Sequence, residues 1–71
     1  MLKTDEKIRL LLRRKEMTVT DLANSIGTTR QNLTNKLKRN NFSENELREI
    51  AKALNCSLIL EFEDGESGEK I

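Results

Sequence analysis

The chain has 71 residues, which is one small domain with room for a modest core. It holds no histidine, tryptophan or tyrosine and a single cysteine, so histidine chemistry, most metal sites and an internal disulfide are excluded. Its 13 Lys and Arg nearly cancel its 12 Asp and Glu, but residues 1–42 carry ten basic and four acidic groups (net +6), and residues 43–71 carry three and eight (net −5).

In chain order, a first helix is predicted from about Thr4 to Lys15. Ile8, Leu11 and Leu12 form its apolar stripe, with Leu10 off it. Asp5 and Glu6 suit its positive N-terminus, and Arg13, Arg14 and Lys15 suit its negative end. Their default role there is charge compensation. A second helix starts at Thr18. The Thr18 hydroxyl can accept from a first-turn amide, Asp21 can reach back, and Met17 with Leu22 occupies the staple positions. Leu22, Ala23 and Ile26 share its inner face. Ala23 is small enough for a close helix crossing. Gly27 marks a sharp turn, where a left-handed backbone is cheapest for glycine.

A third helix follows at once, capped by Thr28 or Thr29, with Leu33 and Leu37 pointing inward. Its other face carries Arg30, Gln31, Thr34, Asn35 and Lys38. Arginine fits the two acceptors of a guanine edge, and glutamine or asparagine fits the acceptor–donor pair of adenine. Asn and Thr are poor helix formers, and a face built only for solubility more often uses Glu and Lys. Between Gly27 and Phe42 there are four basic residues and no acid. These features predict base readout of duplex DNA by Arg30, Gln31, Thr34 and Asn35. Lys38, Arg39 and Asn40, placed with Asn41 in the loop after the helix, suit phosphate contact or a solvated turn equally well.

The segment FSENEL is the cleanest local signature in the chain. Ser43 caps, Glu46 closes a capping box, and Phe42 with Leu47 forms a staple. The fourth helix runs to about Leu54, with Leu47, Ile50, Ala51 and Leu54 facing the core and Asn55 as a left-handed stop. Cys56 follows this apolar run and is assigned a buried structural role.

In the tail, Leu58, Leu60 and Phe62 alternate with Ile59, Glu61 and Glu63. This period of two favours a strand over a fifth helix. Asp64 to Gly68 reads as a turn, and Glu69–Ile71 either folds back as a short second strand or stays loose. A two-stranded element alone is marginal in water, and a bare apolar edge invites pairing. A homodimer through residues 58–63 is therefore expected, suited to a palindromic site with half-sites about one helical turn apart.

Thr18 to Leu37, with its Leu22-Ala23, Ile26-Gly27-Thr28-Thr29, Arg30-Gln31-Asn32 and Leu33, resembles the helix-turn-helix of the lambda-repressor-like (Xre/Cro) family of bacterial and phage regulators. The likeness continues through IAKALNCS at 50–57 and covers roughly residues 4–57. It implies that Thr29, Arg30, Gln31, Thr34 and Asn35 enter the major groove and that Thr18 meets a phosphate. Three positions depart from the family pattern. Val19 stands where a polar, backbone-touching residue is usual. Lys36-Leu37 stands where an apolar residue usually takes the first of the two places. The usual glycine after the third helix is missing.

The expected fold is thus mainly α: a four-helix lambda-repressor-like helix-turn-helix domain over residues 1–57, with a C-terminal β-strand or hairpin over 58–71 pairing in a dimer. The expected function is sequence-specific duplex DNA binding in transcriptional control, as a repressor. An antitoxin with a protein partner at the acidic tail, or a protein-interaction module without DNA binding, is the alternative. No catalytic, cofactor or metal site is expected. There is no phosphate-binding glycine loop and no carboxylate pair on a concave face. No membrane span or signal peptide is read, and a cytoplasmic location is expected.

Overall fold

The computed structural model describes residues 1–71 and contains four helices: α1 (Thr4–Arg14), α2 (Val19–Ile26), α3 (Arg30–Arg39) and α4 (Glu44–Ala53). Three of the four helix starts are closed by a local hydroxyl. The Thr18 hydroxyl accepts from the Asp21 amide at 3.1 Å, and the Asp21 carboxylate accepts from the Thr18 amide at 3.0 Å. Ser43 and Glu46 repeat this reciprocal pair at the start of α4. Thr29, rather than Thr28, caps α3 by accepting from the Asn32 amide. At α1 no hydroxyl caps the helix: the Glu6 carboxylate accepts from the Lys3 amide at 3.0 Å, and the Asn40 side-chain oxygen accepts from the Asp5 amide at 2.8 Å, tying the start of α1 to the end of α3.

All four helices end in the same way. An amide two or three residues beyond the helix donates to a carbonyl five residues back: Met17 to Leu12, Thr28 to Ala23, Asn41 to Lys36 and Cys56 to Ala51. The residue before that amide is left-handed in each case, at Glu16, Gly27, Asn40 and Asn55. This is the Schellman closure, which satisfies otherwise orphaned carbonyls. Glycine and asparagine adopt it cheaply; a glutamate does not. No atom lies within 4 Å of a Cβ built on Gly27, so a substitution there acts through its positive φ alone. Gly27→Ala is expected to cost roughly 1 kcal/mol, and Glu16→Gly to gain roughly 0.5–1 kcal/mol. Urea unfolding followed by circular dichroism measures both, and opposite signs are required.

The core comprises Ile8, Leu12, Leu22, Ala23, Leu33, Leu37, Ile50 and Leu54, with no polar side chain among them. Leu11, Met17, Val19, Ile26, Phe42, Leu47, Ala53 and Cys56 pack around it, half-buried. α2 packs against both α3 and α4, and α1 packs against α3. Leu47 and Ala51 are half-buried rather than fully inside.

Two features differ from the sequence-based expectation. First, Lys38 and Arg39 are the last residues of α3 and not part of a loop. Asn40 takes the left-handed position that the missing glycine would fill, so the helix runs on to it. Second, residues 58–63 form no strand. The chain makes a single antiparallel bridge, Glu63 with Lys70. Phe62 and Ile71 exchange both backbone hydrogen bonds, and the Asp64 amide donates to the Glu69 carbonyl. The turn between them is built by the Asp64 carboxylate, which accepts from the Glu66 and Ser67 amides, and by left-handed Gly68. The returning arm lies opposite residues 62–64 and leaves 58–61 without a ladder partner. There Leu58, half-buried, lies along the groove between α1 and α4, while Ile59 and Leu60 stay exposed.

Candidate nucleic-acid interface

α2, the Gly27 turn and α3 place one row of side chains on the outside of the domain. Leu33 and Leu37 anchor the inner side of α3 with essentially no exposed surface. That fixes the rotation of the helix, because residues three and four positions apart share a side. Gln31 and Asn35 project from the opposite side, exposed, with Lys38 continuing the row and Thr34 half-buried at the edge, and Arg30 is exposed because it stands at the very start of the helix. None of these five side chains makes a hydrogen bond or ion pair within the chain. Their donors and acceptors are free for an external partner.

The expected phosphate-contacting residues fall into three situations. Thr18 and Thr29 use their hydroxyl oxygens as caps, which leaves the hydroxyl protons free to donate outward. Lys38 and Arg39 are exposed and unpaired at the end of α3. Asn40 is exposed, but its side-chain oxygen is committed to the Asp5 amide, so only its amide nitrogen is available.

One cation of this region is neutralised. The Lys36 ammonium pairs with the Glu46 carboxylate across the gap between α3 and α4. Nothing local in the sequence announces this pair, since its partners are joined only by packing. The Glu46 carboxyl is lowered from 4.5 to about 2, first by the hydrogen bond from Lys36 and then by the Ser43 amide and hydroxyl. A carboxyl lowered in the folded state adds stability above its unfolded value, and that stability is lost as pH falls through the folded value. Glu46→Gln keeps the capping geometry but removes the charge. Wild type is therefore expected to melt higher than Glu46→Gln at pH 6, with the difference shrinking below about 4.5 and gone near pH 2. Thermal melts across this range check it. Both side chains are partly exposed, so added salt should shrink the difference.

A surface depression lies away from the α3 row, between α2 and α4 at Ser25, Ile26, Glu49, Lys52 and Ala53. It is open and brings together no catalytic set. Groups of acidic and cysteine residues do not converge as a metal-ion site. No helix is long and apolar enough to cross a membrane.

Two short helices joined through a left-handed glycine, the second fixed by buried leucines and presenting a free polar row, define a helix-turn-helix. The model of the Cro/C1-type HTH DNA-binding domain family matches residues 7–64, and the chain belongs to that family. It is a DNA-binding regulator of the helix-turn-helix class. Searches of curated proteins and of solved structures give no match.

Proposed function

We propose that the protein is a sequence-specific repressor of transcription that inserts α3 into the major groove of duplex DNA. The observation that carries this reading is the row Arg30, Gln31, Thr34 and Asn35: exposed or edge-placed, unpaired within the chain and with no acid on its helix. Arg30 and Gln31 read base edges by paired hydrogen bonds, and Thr34 and Asn35 extend the contact along the groove. Thr18, Thr29, Lys38, Arg39 and the amide of Asn40 hold the flanking phosphates. Occupying a site that overlaps a promoter suffices for repression, whereas activation needs an additional surface for the polymerase.

The tail supports a homodimer. Every exposed large apolar side chain of the domain lies in one of its two terminal segments: Met1, Leu2, Ile59, Leu60, Phe62 and Ile71. The amides of residues 57–61 have no backbone partner. A second copy covers both, with residues 58–63 of two chains completing one small sheet. Residues 1–57 then serve DNA and residues 58–71 serve assembly.

Selection from a random pool of duplexes at near-physiological salt tests the reading. An enriched palindrome with half-sites about one helical turn apart is expected. An enriched single half-site would remove the dimer, and no enrichment would remove base readout. Sedimentation equilibrium of wild type and Phe62→Asp tests the tail directly: the variant should be monomeric at concentrations where wild type is dimeric, with unchanged helix content.

A further inference from the structure

α3 has a second free flank, turned away from Gln31 and Thr34. Asn32, Asn35, Lys36 and Arg39 form a ridge there at helical spacing, with Thr28 just before the helix and Asn41 just after it. Together they line a depression of about 240 Å3 whose wall contains no apolar side chain and no acid. The side chains of Thr28, Asn32, Asn35, Arg39 and Asn41 take no part in hydrogen bonds or ion pairs within the chain. Lys36 is the exception, because Glu46 holds its ammonium.

The one free guanidinium calls for an anion, and the amide and hydroxyl groups around it can turn their donor ends toward one. The phosphodiester is the anion that duplex DNA places beside a helix in its groove. We propose that this depression seats a backbone phosphate of the bound duplex, held by Asn32, Arg39 and Asn41, and that Glu46 sets specificity by withholding Lys36 from that phosphate. The proposal rests on the reading of α3 as the DNA-facing helix. The physical logic is a division between charge and direction. Each cation that neutralises a phosphate strengthens binding to every sequence alike. Asparagine amides add affinity only when the phosphate sits in the right place. With Lys36 neutralised, the contact favours the correct register over random DNA.

The test uses the full chain and the duplex enriched in the selection above. Affinity is measured against salt for wild type and for Asn32→Ala, Asn41→Ala, Arg39→Gln, Glu46→Gln and the Glu46→Gln, Lys36→Gln double variant, with circular dichroism to establish that each is folded. The same duplex is also made as a series in which one phosphate at a time is a neutral methylphosphonate. Asn32→Ala and Asn41→Ala should each bind about tenfold more weakly with an unchanged salt slope. Arg39→Gln should flatten the slope by about 0.9. Glu46→Gln frees Lys36 while retaining a capping side chain, so it should steepen the slope by about 0.9 and tighten binding to random duplex. The Glu46→Gln, Lys36→Gln double variant should return the slope to the wild-type value, because the pair it replaces carries no net charge. One methylphosphonate position should weaken wild type but not the Asn32→Ala, Asn41→Ala double variant.

The proposal is overturned if no position behaves in that way, if the Glu46→Gln, Lys36→Gln double variant keeps the steepened slope of Glu46→Gln, or if Glu46→Gln binds random duplex no better. A wild-type chain that enriches no sequence would instead overturn the reading of α3 itself, and this inference with it.

Discussion

Leu37→Ala should remove a large share of the domain's stability. Leu37 has no exposed surface and lies in the core with Leu22, Leu33 and Leu54. Removing such a side chain costs about 2–5 kcal/mol, from lost transfer energy and the cavity left behind. A domain of this size has roughly 4–11 kcal/mol in total, on the usual scale of about 0.05–0.15 kcal/mol per residue. The melting temperature should fall by about 8 °C or more, taking about 4–8 °C per kcal/mol and the low end of that cost. Lys36→Ala, one residue away, should change it little, since that side chain makes only a partly exposed ion pair. The contrast tests the rotation of α3. If Lys36→Ala proved as damaging as Leu37→Ala, the helix would be turned so that position 36 faced inward, and the outward row would no longer be Arg30, Gln31 and Asn35. A thermal melt of the two variants decides it.

The helix starts were legible because their signals are local. Thr18 with Asp21 and Ser43 with Glu46 lie three residues apart, and the structure closes both pairs as the pattern predicts. Helix ends were only half legible. Gly27 and Asn55 announce left-handed stops by residue type, and both are left-handed. Glu16 does the same work without such a signal, and Asn40 carries the same signal as Asn55 but sits in the run Lys38–Asn41 that reads as a loop. The Asn40 side chain also serves a helix 35 residues away in sequence.

The tail shows where pattern reasoning fails. Alternation of apolar and polar residues signals a strand only when one face is buried. Here Leu58 turns toward the groove between α1 and α4, but Leu60 and Phe62 share the exposure of Ile59 instead of following Leu58 inward. The pairing that does form, at 62–64 with 69–71, is set by the Asp64–Gly68 turn, which the sequence does mark. At the candidate interface, the row from Arg30 to Asn35 was legible from helical spacing and the absence of acid. The Lys36–Glu46 pair was not, because it exists only once the fold brings the start of α4 up to α3. The flank at Asn32, Asn35 and Arg39 does follow helical spacing, but its neighbours Thr28 and Asn41 join it only through the turns at the two helix ends.

The largest functional effect is expected at Arg30 and Gln31, which stand on the first turn of α3 with free side chains. An arginine or glutamine that makes a paired contact to one base edge contributes about 1–3 kcal/mol of discrimination. Arg30→Ala and Gln31→Ala should each weaken binding to the selected duplex by about 5–150-fold. The two should differ in how they respond to salt and sequence. Arg30→Ala removes a cation, so binding to random duplex should also weaken somewhat. Gln31→Ala removes none, and random binding should stay at the wild-type level. Each variant should tolerate all four bases at the position its residue reads, while the rest of the selected site stays unchanged. Titration of wild type and both variants against the selected duplex and its single-base variants supplies the test. Loss of affinity spread evenly over all sequences would assign both residues to the DNA backbone. Base readout would then move along α3 to Thr34 and Asn35, whose side chains are also free.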